Sequence, residues 1–164
     1  MTDSHDPDSI GCDDEQATAF ALRRPLVAVL PFAPAGDDAA LRLLGSELAV
    51  QLRERLTRDP ALAAILISSE FIDRAPEHAL ELICRQLRIG HVVTGKCYRH
   101  PDGRSFLYVE LTDTRDWHVR WAQVCRGTAH DLLLPESAGL ASLQAGLRSA
   151  LLARAQNAFH QLGD

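Results

Sequence analysis

Gly90-His91-Val92-Val93-Thr94-Gly95-Lys96-Cys97 is the stretch of this chain that comes nearest to a phosphate-binding loop. Such a loop sits between a strand and a helix, where backbone amides and a lysine cradle phosphate and a final Ser or Thr hydroxyl holds Mg²⁺. Here Cys97 stands where the hydroxyl is needed, and His-Val-Val-Thr in the variable positions reads as a β-strand. Tyr98-Arg99-His100-Pro101-Asp102-Gly103 follows as a strand end and a turn, so no helix dipole is on offer. Nucleotide binding through Gly95-Lys96 therefore has the residues without the context. His91, Cys97, His100 and Cys125 could meet if outer strands adjoined, but none shows a paired ligand spacing such as C-x-x-C or H-E-x-x-H. No G-x-S-x-G occurs, and Asp37, Asp38, Glu47 and Glu54 read as helix caps or solvated faces. The residues argue for a protein that is not an enzyme, with no cofactor and no metal.

The elements that would position these groups are legible in the apolar spacing. Residues 26–32 form an apolar run closed by Pro31-Phe32, the mark of a strand covered on both faces. Asp37-Asp38 supply helix-start chemistry, and Leu41, Leu44, Leu48, Leu52 and Leu56 make one helical stripe before Asp59-Pro60 ends it. Residues 64–68 read as a second buried strand. Pro76 fits the first turn of a helix with Leu80, Ile83, Cys84 and Leu87 on its apolar face, and Gly90 fits a left-handed cap. The period then changes to two: residues 91–99, 106–113 and 118–126 are three strands in series, joined through Pro101-Asp102-Gly103 and Thr114-Arg115-Asp116. In the middle strand Leu107, Val109 and Leu111 alternate with Phe106, Tyr108 and Glu110, and in the last strand alternation groups the core candidate Trp121 with Val119. Pro135-Glu136 opens a final helix bearing Leu140, Leu143, Leu147 and Leu151. The order is β-α-β-α-β-β-β-α, an α/β (α+β) domain with a mixed five-stranded sheet and helices packed on it.

Its 164 residues are enough for one domain with a substantial core, and 5% aromatics make that core aliphatic. The net charge of −5 is concentrated in one place. Residues 1–24 hold six acids (Asp3, Asp6, Asp8, Asp13, Asp14 and Glu15) against Arg23 and Arg24, a net of −4, which leaves −1 for the other 140 residues. This segment has few apolar residues and no periodicity before Ala17, so it reads as a disordered acidic tail preceding a domain over 25–160. The charge gives no support for a nucleic-acid partner, and no run approaches the ~18 apolar residues of a membrane helix. Arg23-Arg24 before an apolar stretch has the outline of a twin-arginine signal. The preceding region is long and acidic, however, and Pro31 cuts the stretch short, so the cytoplasm is the expected location. Cys84, Cys97 and Cys125 read as small apolar fillers, and Lys96 is the only lysine.

Several segments together resemble the TolB amino-terminal-domain-like family. Val27-Ala28-Val29-Leu30-Pro31-Phe32 is similar to its A-V-L-P-F opening, and Gly45-Ser46-Glu47-Leu48 to its first helix. Ile67-Ser68-Ser69-Glu70-Phe71 resembles its second strand and the segment after it, and residues 88–99 resemble its G-x-x-Y-V-L-x-G strand. Val109-Glu110-Leu111-Thr112-Asp113 and Val119-Arg120-Trp121-Ala122 resemble its last two strands. The resemblance covers about residues 25–155. It implies a mixed five-stranded sheet in a non-catalytic module that in bacterial regulators lies beside DNA-binding or cyclase domains and tetratricopeptide repeats. None of those companions is present in these residues, so the expectation is a stand-alone interaction or sensor module, regulatory in role, binding a protein partner, itself included, or a small ligand. An exported envelope-assembly or transport-associated component is the alternative. Open α/β sheets bind ligands at the carboxyl ends of their parallel strands, which singles out Phe32, Ser68 and Ser69; sheet edges are the other candidate surface.

Overall fold

The computed structural model describes residues 24–75 and 77–161, with side chains described as far as 153. The expected acidic tail, apart from Arg24, lies outside the described residues, as do Cys12 and Pro76. The described chain forms β1 (Leu26–Val29), β2 (Ala33–Pro34), α1 (Ala39–Thr57), β3 (Ala63–Leu66), α2 (Ser69–Arg74), α3 (Ala79–Leu87), β4 (His91–Arg99), β5 (Ser105–Asp113), β6 (His118–Gly127), α4 (Ala129–Leu133) and α5 (Ala138–Gln161). The sheet runs β3-β1-β4-β5-β6. β1 is parallel to β3 and β4, and β4, β5 and β6 are antiparallel to one another.

This is the expected mixed sheet with a sixth strand. Pro31 has no N–H, so the apolar run breaks after Val29, and the chain rejoins β4 as β2, pairing Ala33 with Lys96 and Pro34 with Cys97. Two short helices also escaped the apolar pattern. Each follows a serine or threonine cap: Ser68 Oγ accepts from Phe71 N at 3.2 Å, and Thr128 Oγ1 accepts from Asp131 N at 3.1 Å. Asp38 caps α1 as expected, accepting from Ala40 N (3.0 Å) and Leu41 N (3.2 Å), and the five leucines of the α1 stripe are all buried.

The two faces of the sheet are treated differently. On the front, α1, α4 and α5 cover β1, β4, β5 and β6 in one large aliphatic cluster. On the back, α3 contributes Cys84 to a small cluster with Ala28, Leu30, Ile67, Ile89 and Val92, which covers the parallel strands and the start of β4. Leu87, expected on the apolar face of α3, is exposed. The left-handed residue that ends α3 is Arg88 (φ 56°), not Gly90. The reversal is needed immediately after Leu87 so that Ile89 can bury; by Gly90 the chain is already feeding β4, its N–H bound to Leu26 O at 3.1 Å.

A bulge in β6 overturns the grouping of Trp121 with Val119. Leu111 pairs with Trp121 but Thr112 pairs with Val119, so Arg120 is an extra residue. One inserted residue exchanges the faces on either side of it. Trp121 therefore packs on the front against Gly146 of α5, where an added Cβ would lie 2.5 Å from the indole, while Val119 stands 50% exposed on the back.

Close to this bulge, the buried Asp113 carboxylate ties the β5–β6 turn. It accepts from Arg115 N at 3.0 Å and from the Arg115 guanidinium at 3.3 Å, with Arg120 Nε at 3.8 Å and His91 opposite on β4. Burial pushes the Asp113 pKa up, but the Arg115 hydrogen bonds and charge, aided by His91, outweigh it and hold it below 3.8. Asp59 is also lowered, chiefly by the Ala61 N–H, against burial and with help from Arg148. A carboxylate with a depressed folded pKa stabilises above its unfolded pKa, and that contribution is lost as pH falls through the folded value. Stability is therefore expected to drop below pH 3.8. Urea unfolding at neutral and strongly acid pH should show that the drop is smaller in Asp113→Asn; an identical acid dependence in the variant would contradict this role.

Candidate partner-binding face

The three residues singled out at the strand ends do not form one site. Phe32 is 1% exposed and belongs to the front cluster. Its ring lies over Gly95, where a Cβ would come 2.8 Å from Phe32 Cδ1 and 2.5 Å from Tyr108 O. Gly95 thus serves packing inside a strand, opposite Val109, and Lys96 opposite Tyr108 projects to the back. The phosphate-loop outline has no helix after it. Ser68 and Ser69 are exposed at the start of α2, Ser68 occupied as its cap, beside a shallow depression of about 490 Å³ lined by Glu70, Phe71, Arg74, Ala75 and Ala79.

Cys97 and Cys125 both face the front on either side of Leu107, two strand spacings apart, or ~10 Å. Burial pushes both thiols up, Cys97 to about 11, and raises Cys84 too, which removes thiolate character at neutral pH. His91 is buried against Asp113, and His100 is in the β4–β5 turn, its Nδ1 3.0 Å from Asp102. Among the described residues no three His, Cys, Asp or Glu side chains gather as a metal set.

The accessible feature is the back of β5, β6 and β4 beyond Val92, which the α3 cluster does not reach. Cross-strand rows stack there as Tyr98–Phe106–Arg126, Lys96–Tyr108–Val124, Thr94–Glu110–Ala122 and Thr112–Val119. Tyr98 is 41% and Val124 48% exposed, and with Arg99, His100, Phe106 and Tyr108 they line a depression of about 530 Å³. The Phe106 ring is held from two sides: His100 meets it edge-on at 5.6 Å, and the Arg126 guanidinium lies over it at 5.4 Å. Tyr108 donates to Glu110 Oε1 at 2.6 Å, which occupies that carboxylate and raises the phenol pKa. Arg99 is paired with Asp38 at 3.5 Å. Among the described residues Lys96 and Arg126 have no acidic partner within 4.0 Å, so two cations without a carboxylate flank an aromatic and aliphatic floor.

The signal for this face was present in the sequence as Phe106 and Tyr108 on the less apolar side of β5. Periodicity gives the two faces of a strand; it does not say which one a helix will cover.

Fold and face together define an α+β domain with a half-covered mixed sheet, helices on its front and an aromatic, cationic surface on its back. No protein-family model matches the chain, and no curated protein matches it. Among solved structures it is similar to a point variant of the PelC dodecamer from Paraburkholderia phytofirmans, at 17% identity, over 81% of this chain and 87% of that one, with a TM-score of 0.47. It is also similar to TolB from Acinetobacter baumannii, at 16% identity over 77% of this chain and 28% of that one, with a TM-score of 0.49. Lipoprotein GNA1162 from Neisseria meningitidis is similar at 12% identity over 80% of this chain and 96% of that one, with a TM-score of 0.46. Among the described residues no helix is long and apolar enough to cross a membrane.

Proposed function

We propose that this domain is a non-catalytic interaction module, regulatory in role, that holds an extended acidic segment of a protein against the back of β4, β5 and β6. The observation that carries this reading is the pair of cations, Lys96 and Arg126, that have no acidic partner among the described residues and lie beside the depression floored by Phe106 and Tyr108. Carboxylates complete the cations, and an apolar side chain between them fills the depression. Size favours a segment over a second folded copy. Three strands ~4.8 Å apart and four residue rows ~6.7 Å apart give a face on the order of 400 Å², against the ~800 Å² per partner of a stable interface. The proposed location is the cytoplasm, in keeping with the free thiols Cys84, Cys97 and Cys125.

A photoreactive benzophenone side chain placed at Val124 in cells tests this, with the same group at Leu43, exposed on α1, as the control. Adducts to a carboxylate-rich peptide are expected from position 124 alone, and should be lost when Lys96→Glu and Arg126→Glu are combined. Equal adducts from position 43, or indifference to charge reversal, would overturn the proposal. Recovery of the tagged chain in a membrane or periplasmic fraction of the same cells would replace the cytoplasmic location with the envelope reading.

A further inference from the structure

We infer that the back face has an occupant within the chain itself: the acidic segment of residues 3–15. This rests on the docking reading above and names the acidic segment it takes. Charge is the first argument. The segment holds six carboxylates and no Lys or Arg, whereas residues 25–164 are nearly neutral, and Lys96 and Arg126, neither with an acidic partner among the described residues, lie together on this one face. Glu110, the acid on the same face, is engaged by Tyr108.

Reach is the second argument. The chain enters the fold at the start of β1, where Val27 pairs with His91 at the start of β4. Arg24 lies three residues before Val27, so Lys96 is eight residue rises along the sheet from it, ~27 Å away, and Arg126, level with Tyr98 and three strands from β1, is ~36 Å away. Glu15 stands nine residue steps before Arg24 and Asp13 eleven, which when extended span ~30 Å and ~36 Å, so these acids can reach Lys96 and Arg126. Chemistry is the third. Ile10 lies three residues before Asp13 and supplies the apolar group for the depression between Tyr98, Phe106, Tyr108 and Val124.

Tethering raises the local concentration of this segment far above that of a free peptide, so an external acidic partner must displace it. The segment is then a built-in competitor for the face, and partner binding depends on how acidic the rival is.

Lys96 is the only lysine, so a zero-length carbodiimide reagent, which joins carboxylates to amines, can form amides only there and at the chain's amino terminus. The full chain, mixed as equal parts ¹⁵N-labelled and unlabelled protein, is treated, digested and sequenced by mass spectrometry. The expected product joins Lys96 to Asp13, Asp14 or Glu15 within single-isotope peptides. It should disappear in the variant Asp13→Asn, Asp14→Asn, Glu15→Gln, and in ~1 M salt, where screening leaves charge effective over only ~3 Å. A Lys96 linked solely to acids of the folded part such as Glu110, mixed-isotope links only, or no link would overturn the inference. The adducts at Val124 separate the two claims. A partner adduct without the Lys96 amide keeps the docking face and removes the tail, and loss of both removes both.

Discussion

Phe32→Ala is expected to lower the free energy of unfolding by about 3–5 kcal/mol, the range for a large aromatic deleted from a packed core. The ring is 1% exposed and fills the space over Gly95, between the sheet and α1. No neighbour can collapse into the gap easily, because Gly95 has no side chain and Gly45, on the α1 side, has none either. Equilibrium urea unfolding reads the loss directly as a fall in midpoint at unchanged slope. The sign separates two roles for this residue. A ligand-binding Phe32 on the surface would leave stability within about 0.5 kcal/mol, so a shift that small would overturn the core assignment.

Gly45→Ala should be comparably severe for a different reason. A Cβ there would overlap the Phe32 carbonyl oxygen and lie 2.9 Å from its carbon, both backbone atoms that no rotamer change can move. The Phe32 N–H also donates to Gly45 O at 3.3 Å, so the segment after Pro31 and the middle of α1 are in backbone contact. Insertion of one methyl must push α1 off the sheet. Overpacking costs about 1–3 kcal/mol and occasionally more; the rigid contact puts this case at or above the upper end. Gly90→Ala is the control, since nothing lies within 4 Å of its Cβ position and its φ is not positive; it should be neutral or slightly stabilising. Combining Phe32→Ala with Gly45→Ala should bring no relief, because the clash is with the carbonyl. The same change paired with Gly95→Ala removes one of two clashes and should be less than additive. Simple additivity in the second pair would contradict the packing described for the ring.

Much of the fold was legible because it follows from period. The α1 stripe, the three strands after Gly90 and the leucines of α5 each repeat often enough for one misplaced residue not to matter. What periodicity could not give were the places where a single residue changes the phase. Arg120 is one, flipping Val119 away from Trp121; Pro31 is another, ending the strand expected over 26–32 at Val29 and letting a second one form only at Ala33–Pro34. Short helices such as α2 and α4 are too brief to show a stripe, and only their caps at Ser68 and Thr128 mark them in sequence. The site was less legible than the fold. Phe32 sits at the strand end where ligands are sought, but it is the residue that the bare glycines Gly45 and Gly95 make room for. The exposed face, by contrast, exists because α3 is nine residues long and covers only the parallel strands and the start of β4, a fact of length and placement rather than of any motif.

The alternation of β4, β5 and β6 divides their residues by parity. From residue 93 to 99, from 105 to 113, and again from 121 to 127, odd positions point to the helices and even positions to the open side. Substitutions at even positions can therefore recast the outward surface while the odd positions keep the sheet folded. Two messages are written in one stretch of chain, and a descendant of this protein could exchange one partner for another by editing every second letter.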